Sequence, residues 1–168
     1  DPEQMVMLLH GQGGSGKTEV VGLIRRLCRD VFGVGSEMAV ASSNSAARNV
    51  GGETIHSAFK LGSFQSLAVK DLAKRKVDDE AIDRLSSVEC VIVEEVSMVE
   101  SALLGAASYR MCAARERKNL CQSSLYMVRG HMFGAAPIVL FLGDFYQLGP
   151  VCRGGQRSSL LSRADSRE

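Results

Sequence analysis

Residues 11–18 constrain this chain more than any other segment, because they match the phosphate-binding loop pattern G-x-x-x-x-G-K-[ST]. The apolar run before the loop, residues 5–9, predicts a short buried strand. The residues after it, 19–27, carry apolar side chains at helical spacing. Strand, glycine-rich loop and helix are the local order in which this pattern binds phosphate. The sequence therefore predicts a nucleotide-binding protein.

The residue types of this loop indicate how phosphate would be held. Glycines let the backbone wrap a phosphate chain with its N–H groups directed inward, and a helix beginning near Gly16 adds the positive end of its dipole. Lys17 is expected to reach the β- and γ-phosphates, and the Thr18 hydroxyl to bind Mg²⁺. The predicted nucleotide-binding residues of the loop are Gly11, Gly13, Gly14, Ser15, Gly16, Lys17 and Thr18. The alternative is a glycine-rich turn that binds nothing, which the correct flanks on both sides disfavour.

Composition places few further limits on the function. The 168 residues suffice for one domain, and 45% hydrophobic with 23% charged residues is ordinary for a globular protein. No apolar run approaches the roughly 20 residues of a membrane span. A net charge of +1 neither indicates nor excludes nucleic acid, and the short basic clusters fit solvated helix faces better than a phosphate track.

The five cysteines are an odd number without a C-x-x-C pair, and Cys28 and Cys90 are expected in the core. This usage indicates a reduced, intracellular compartment without structural zinc. The chain begins without an initiator Met or a targeting signal, and we expect it to be an excised piece of a longer protein.

Apolar strand-like runs alternate with segments of helical periodicity along the chain. Further strands are predicted at residues 38–41, 88–93 and 138–142. Helices are predicted at residues 46–50, from residue 54, and over 99–118. Residues 65–85 are predicted to form two helices that part near residues 78–79. This order predicts an α/β fold, a parallel sheet flanked by helices on both faces. Because ligands bind at the carboxyl ends of such strands, the polar strand ends should share one sheet edge.

An acidic pair, Glu94 and Glu95, follows the second of these predicted strands. At this position Glu94 would hold Mg²⁺ through water, and Glu95 would be the general base that polarises the attacking water. The alternative is a pair of solvated acids that cap a helix beginning near Ser97. Asp144 and Gln147, after the last strand, supply an acid and an amide that can report on the γ-phosphate.

Four stretches together resemble the first motor domain of superfamily 1B DNA helicases of the RecD and petite-integration-frequency (Pif) type. They are residues 11–18, 45–57, 91–99 and 143–151, whose order and spacing match over nearly the whole chain. The discriminating stretch is 45–57, which contains the pattern A-A-x-N-[IV]-G-G-x-T-I-H-S. Most phosphate-loop proteins lack it, whereas Pif-type helicases, including helicase segments of Helitron-like transposons, contain it.

The resemblance implies a RecA-like phosphate-loop NTPase domain and an ATP- and Mg²⁺-dependent motor that moves along single-stranded DNA, usually 5′ to 3′, and unwinds duplexes. It implies a role in DNA repair, recombination or telomere maintenance. The location would be the nucleus or mitochondrion of a eukaryote, or otherwise the cytoplasm, and no membrane partner is expected. By analogy Lys17 and Thr18 bind the phosphates and Mg²⁺, Glu95 is the catalytic base, and Gln147 couples the γ-phosphate to DNA-induced movement.

The same resemblance implies a single-strand track without sequence readout. Its residues would be Ser43, Asn44, Ser45, Thr54, His56 and Ser57. The plainer interpretation of residues 54–57, a helix cap by Thr54 followed by a core Ile55, is compatible with this role.

The chain departs from the family pattern in three places. Glu94 stands where the acidic motif usually has Asp, and the extra methylene displaces the carboxylate by about 1.5 Å, which can cost on the order of 100-fold in a positioned site. Gly149-Pro150 replaces the usual Pro-Pro. The third departure is that the chain ends after the last strand motif. We expect residues 1–152 to form one motor domain of an incomplete helicase core and residues 153–168 to be a frayed or truncated tail. The second motor domain, with its arginine finger, is expected in the full-length protein.

Two other interpretations remain open at this point. One is a degenerate helicase-derived module that binds ATP or DNA without turnover, which Glu94 favours. The other is an unrelated phosphate-loop kinase in which residues 94–95 hold a metal ion for transfer to an acceptor, although a kinase needs neither the 54–57 stretch nor Gln147.

Overall fold

A computed structural model of the chain describes residues 3–62, 69–73, 77–120 and 131–144. Gln147, the predicted domain boundary after residue 152 and the tail 153–168 lie outside the described residues. Within these ranges no helix combines the length and the hydropathy needed to cross a membrane.

A five-stranded parallel sheet organises the fold. Its strands are β1 (Met5–His10), β2 (Glu37–Ala41), β3 (Glu53–Thr54), β4 (Cys90–Glu94) and β5 (Ile138–Gly143), in the spatial order β1-β5-β4-β2-β3. The helices are α1 (Lys17–Phe32), α2 (Asn44–Asn49), α3 (Ile55–Ala58), α4 (Val69–Ala73), α5 (Asp79–Ser86) and α6 (Ser101–Arg117), with 3₁₀ turns at Val96–Met98 and Phe133–Ala135. The predicted α/β fold with a parallel sheet is confirmed, since parallel neighbours require crossover connections of this kind.

Alternate residues of β4 show that the sheet packs on both faces. Val91 and Val93 belong to a core cluster that includes side chains of α3, α5 and α6. Cys90 and Ile92 belong to a second cluster with Val21 and other residues of α1. Because successive side chains of a strand point to opposite faces, β4 is buried from both sides, as its continuous apolar run predicts.

The predicted core positions of two cysteines are confirmed, because both Cys28 and Cys90 are buried. Burial raises the pKa of the Cys90 thiol, and its hydrogen bond with Cys28 adds to the rise. A thiol held in its neutral form is a poor nucleophile, so Cys90 acts as an apolar packing group.

The prediction that the first strand is buried is wrong. Met5 is 52% exposed and Leu8 is 57% exposed although β1 pairs with β5 at the end of the described sheet, because side chains point to the faces of a sheet and strand pairing does not cover those faces. Leu23 and Leu27 on α1 are exposed as well. An apolar run predicts a strand, but it does not reveal whether a neighbouring element covers that strand.

Side-chain caps start two of the short helices where the sequence predicts boundaries. The Thr54 hydroxyl accepts a hydrogen bond from the Ser57 N–H at 3.3 Å and begins α3. The Asp78 carboxylate accepts from the Ala81 N–H at 2.7 Å and begins α5, so α4 and α5 part where expected. Each cap satisfies an N–H group that the helix leaves without a partner.

Gly52 is placed so close to β2 that no larger residue fits. A Cβ atom there would lie 2.1 Å from the Ala39 carbonyl oxygen and 2.7 Å from its carbonyl carbon. We therefore expect Gly52→Ala to lower the free energy of unfolding by about 1–3 kcal/mol or more, measured by urea denaturation. The matched control is Gly22→Ala in α1. Among the described residues no atom outside the helix's own backbone lies within 4 Å of a Cβ there, so the change should stabilise the protein by about 0.5–1 kcal/mol. Equal changes in the free energy of unfolding for Gly52→Ala and Gly22→Ala would contradict this steric explanation.

Candidate active site

A cleft of about 370 Å³ opens at the carboxyl edge of the sheet. It lies where the loop after β1 meets the ends of β4 and β5, which are neighbours because β5 stands between β1 and β4. The residues that line it are Gly13, Gly14, Gly16, Lys17, Thr18, Glu19, Glu94, Glu95, Ser97, Met98, Gly143 and Asp144. The strand ends at residues 11–18, 94–95 and 144 therefore share one edge, as the sequence predicts.

The loop between β1 and α1 owes its shape to glycine. Gly14 and Gly16 have φ angles of 76° and 84°, in the left-handed region that glycine adopts without a steric penalty. α1 then begins at Lys17, whose ammonium group donates hydrogen bonds to the carbonyl oxygens of Gly11 at 2.6 Å and Gln12 at 2.9 Å. The lysine thus holds the loop closed at the start of α1.

Two predicted loop residues stand behind the cleft rather than in its wall. The Gly11 N–H donates to the Gly143 carbonyl at 3.3 Å, which attaches the loop to β5. A Cβ atom on Gly11 would lie 2.7 Å from the Ser15 hydroxyl oxygen, so the two residues are packed together. Gly11 and Ser15 are therefore placed to shape the loop, whereas the other five predicted loop residues line the cleft.

Glu94 ends β4 with its carboxylate in the cleft wall. Its Oε2 atom is buried and has no hydrogen-bond partner within the described ranges. Burial raises the pKa of Glu94, and the charge of Glu95 adds to the rise while Lys17 opposes it. A carboxylate oxygen without a partner, in the same cleft as the Thr18 hydroxyl, fits a hard divalent cation such as Mg²⁺, which prefers oxygen ligands.

Glu95 adopts a left-handed backbone conformation, with φ 52° and ψ 44°. A non-glycine residue in this region costs about 1–2 kcal/mol, and such strain concentrates at functional sites. The residue stands at the N-cap position of the Val96–Met98 turn, but its side chain makes no capping hydrogen bond. Glu95 therefore does not cap this turn through its side chain, as the alternative interpretation of the acidic pair would require, and the residue lines the cleft.

Asp144 follows β5, is 8% exposed and lines the cleft, whereas Gln147 lies outside the described residues. Four lining residues, Glu19, Ser97, Met98 and Gly143, were not predicted as site residues from the sequence. The position of Ser97 and Met98 results from the turn that Glu95 initiates, and apolar periodicity gives no signal for such a turn. The clue that the sequence offers for Ser97 and Met98 is their position in the 91–99 stretch, next to the acidic pair.

The raised pKa of Glu94 has a consequence for stability. Because the folded state holds this proton more tightly than the unfolded state, the contribution of Glu94 to stability falls as pH rises from the ordinary Glu pKa of about 4.3 through the raised value. We expect Glu94→Gln to raise the thermal unfolding midpoint at pH 7 in metal-free buffer, and the advantage to vanish on acidification below that ordinary pKa. Glu3→Gln, an exposed carboxylate outside the cleft, is the baseline for losing one negative charge. A midpoint for Glu94→Gln below that of the wild type at pH 7 would contradict the account.

A second group of polar residues occupies the same sheet edge beside the cleft. Ser43, Asn44 and Ser45 follow β2 and are exposed, and Thr54, His56 and Ser57 follow or end β3. β2 and β3 pair in parallel with Ala41 opposite Thr54, which places the two groups together. We refer to these six residues as the hydroxyl-rich surface.

Half of the hydroxyl-rich surface already makes local hydrogen bonds. The Ser43 hydroxyl accepts from the Ala46 N–H at 3.2 Å, Thr54 caps α3, and the Ser57 hydroxyl donates to Glu53 at 3.1 Å. The plainer interpretation of residues 54–57 is thus confirmed, with Ile55 1% exposed in the core. A hydroxyl that accepts one bond keeps its own O–H for donation, so capping by Ser43 and Thr54 leaves donors for a phosphate.

A phosphate loop between the first strand and helix of a parallel sheet, with an acidic pair ending a neighbouring strand, defines an α/β domain of the phosphate-loop NTPase class. The model of the PIF1-like helicase family matches residues 2–166, and the chain belongs to this family. The resemblance seen in the sequence is thereby confirmed, and the assignment favours a helicase over the kinase alternative.

Known relatives cover most of this chain. It is 36% identical over 152 residues to the ATP-dependent DNA helicase Pif1 of Bdellovibrio bacteriovorus, covering 90% of this chain and 30% of the relative. It is 29% identical to the ATP-dependent DNA helicase PIF1 of Saccharomyces cerevisiae, covering 88% of this chain and 16% of the relative. The chain thus spans less than a third of the length of these relatives.

Solved structures of Pif1 helicases share the fold. The crystal structure of the Candida albicans protein superposes with a TM-score of 0.67 at 30% identity, covering 88% of this chain and 30% of that protein. The Bacteroides Pif1 structure in complex with ADP-AlF3 and ssDNA has a TM-score of 0.66 at 27% identity, covering 94% of this chain and 32% of that protein. The five-stranded sheet described above is therefore the RecA-like arrangement predicted from the sequence.

Proposed function

We propose that this chain is the nucleotide-binding motor part of an ATP-dependent DNA helicase, which couples ATP hydrolysis to translocation on single-stranded DNA and to duplex unwinding. The observation that carries the proposal is the convergence of the phosphate loop and the acidic pair in one cleft. Membership of the PIF1-like helicase family supports the same activity.

In this proposal the predicted site residues of the cleft have separate tasks. The loop N–H groups and Lys17 hold the nucleotide phosphates, and Asp144 contributes to the nucleotide site from the end of β5. Thr18 and Glu94 hold Mg²⁺, which when bound neutralises charge on the phosphate oxygens. Glu95 orients the attacking water and accepts its proton.

The hydroxyl-rich surface is proposed to bind the DNA strand. Hydroxyl and amide groups bind phosphates without distinguishing bases, as a translocating motor requires. The Bacteroides Pif1 protein binds ssDNA together with ADP-AlF3, which supports the assignment. Gln147 would link the γ-phosphate to DNA-induced movement. A second motor domain in the full-length protein would close the nucleotide cleft, and the location would be the nucleus or mitochondrion of a eukaryote, or otherwise the cytoplasm.

The test is ATP hydrolysis by the full-length protein with and without single-stranded oligothymidine, together with unwinding of a duplex that carries a 5′ single-stranded tail. We expect many-fold stimulation of hydrolysis by the DNA, and unwinding that requires both ATP and Mg²⁺. Hydrolysis that is indifferent to DNA, without unwinding, would reject the helicase function.

A module that binds ATP or DNA without turnover is the second candidate, and Glu94 is the observation that favours it. The family usually has Asp at this position, and here the longer carboxylate is buried with a raised pKa. Glu94→Asp in the full-length protein separates the two candidates. A large gain in the turnover number would mean that the native site is impaired, whereas unchanged or lower turnover would favour the active motor.

A further inference from the structure

Arg25 connects α1 to two separate parts of the chain. Its Nε atom donates to Glu37 Oε2 at 3.1 Å, and its Nη2 atom donates to Glu37 Oε1 at 3.2 Å. Its Nη1 atom donates to the Val50 carbonyl oxygen, and both Nη atoms lie 3.5 Å from the Gly51 carbonyl oxygen. One guanidinium group thus binds a carboxylate and a backbone turn together, which its fork of five donors allows.

These two partners lie on either side of α2. Glu37 begins β2, which leads into residues 43–45, whereas Val50 and Gly51 follow α2 and lead into residues 54–57. Each half of the hydroxyl-rich surface therefore follows, along the chain, a segment that is hydrogen-bonded to Arg25. Gly52, next in the chain, rests on the Ala39 carbonyl, which leaves the turn little freedom to shift across β2.

Arg25 also belongs to the helix that begins the nucleotide site. Lys17, the first residue of α1, lies eight positions before it, or about two helical turns. The Arg25 side chain is 19% exposed and that of Glu37 is 6% exposed, so solvent screens their pairing only weakly. A displacement of α1 at the phosphate loop would pass through this contact to the turn at residues 50–51.

Arg29 provides a comparison within the same helix. Its guanidinium also pairs with Glu37, at 2.8 Å from Nε and 2.5 Å from Nη2 to Oε1. Its side chain is 47% exposed, and within the described ranges its hydrogen bonds go to Glu37 and to no atom of residues 50–51. Both arginines therefore bind the carboxylate of Glu37, but of the two it is Arg25 that also binds the turn at residues 50–51.

We propose that Arg25 is a positioning residue that couples the nucleotide site to the DNA-binding surface by fixing the turn at residues 50–51 to α1. The proposal rests on the proposed function, because it assigns DNA binding to the hydroxyl-rich surface. Coupling between two sites is a free energy, commonly worth 5- to 150-fold in affinity, and a hydrogen-bonded contact between elements of the two sites can carry it. The guanidinium of Arg25 provides that contact here.

The experiment compares Arg25→Ala with Arg29→Ala in the full-length protein. The measured quantities are the KM for ATP and the rate without DNA, and the oligothymidine concentration that gives half-maximal stimulation. We expect Arg25→Ala to raise that concentration about tenfold, within the usual range of coupling energies, while the rate and KM without DNA change less than about twofold. Arg29→Ala is expected to stay within about twofold of the wild type in all three quantities.

Arg25→Lys keeps the charge but cannot bind the carboxylate and the turn with the same geometry, so we expect an intermediate DNA defect. If Arg25→Ala does not fold, as judged by circular dichroism, Arg25→Lys replaces it as the test of the proposed coupling. A half-stimulating DNA concentration equal to that of the wild type in Arg25→Lys would then overturn the proposal.

Three further results would overturn the coupling. The first is an equal change of the half-stimulating DNA concentration in Arg25→Ala and Arg29→Ala. The second is an equal loss of the hydrolysis rate with and without DNA in Arg25→Ala. The third is that Arg25→Ala leaves the half-stimulating DNA concentration unchanged. In each of these cases a wild type that is stimulated by DNA keeps the proposed helicase function intact. A wild type without any DNA response would overturn both.

Discussion

Replacing Glu95 with Gln is expected to lower the turnover number for ATP hydrolysis by about 10²- to 10⁴-fold while leaving nucleotide binding nearly unchanged. The amide has the shape of the carboxylate but cannot accept the proton of the attacking water. Glu95 lines the cleft from a strained left-handed position and makes no capping hydrogen bond, so the substitution removes chemistry rather than structure. The measurement is steady-state hydrolysis by the full-length protein at saturating single-stranded DNA, with nucleotide affinity from a fluorescent ATP analogue.

Glu100→Gln is the matched control for the Glu95 variant. Glu100 stands five residues later at the N-cap position of α6, also without a capping side-chain bond, and it does not line the cleft. Its variant should hydrolyse ATP within about twofold of the wild-type rate, because Glu100 does not line the cleft. Retention of wild-type turnover by Glu95→Gln would remove this residue from the catalytic role.

Lys17→Ala should weaken nucleotide binding about 10- to 100-fold, because a charge-assisted hydrogen bond contributes roughly 1.5–3 kcal/mol. Hydrolysis at sub-saturating ATP should fall at least in proportion. Lys17 also holds the loop closed through the carbonyl oxygens of Gly11 and Gln12, so loss of the side chain loosens the loop as well. Isothermal titration with a non-hydrolysable ATP analogue measures the change.

The control for Lys17 is Lys118→Ala, which removes a lysine of the same charge far from the cleft. Lys118 pairs with Asp83 at 2.5 Å on the surface, where ion pairs contribute little. Its variant should bind the analogue with wild-type affinity. Equal affinities for Lys17→Ala and the wild type would mean that the phosphates are held elsewhere.

Much of the fold could be predicted because its signals are local. The predicted strand at residues 138–142 and the observed β5, Ile138–Gly143, differ by one residue. The prediction is close because a short apolar run bounded by turn residues is typical of a buried strand. Thr54 could be predicted as a cap because its hydroxyl reaches an N–H only three residues away. The joint position of the phosphate loop and the acidic pair followed from the rule that parallel strands end at one edge.

The missed features depend on contacts between distant parts of the chain. The two-residue strand β3 exists because residues 53–54 pair with β2, not because of any periodicity of their own. Glu95 takes a left-handed backbone that its residue type disfavours, and the surrounding structure imposes it. No pattern of the sequence near Arg25 indicates that it reaches Glu37 and Val50, which lie 12 and 25 positions away.

The sequence by itself determined the class of domain and the residue types of its candidate nucleotide site. A phosphate loop requires particular residue types at fixed spacing, and the loop, strand and helix signals lie within a few residues of each other. The tertiary structure alone decided that β1 is the end strand of the described sheet, that Glu94 carries a buried oxygen without a partner among the described residues, and that Arg25 binds both Glu37 and the Val50 carbonyl oxygen. Burial, electrostatic desolvation and long-range pairing depend on which segments pack together, and only the folded arrangement specifies that.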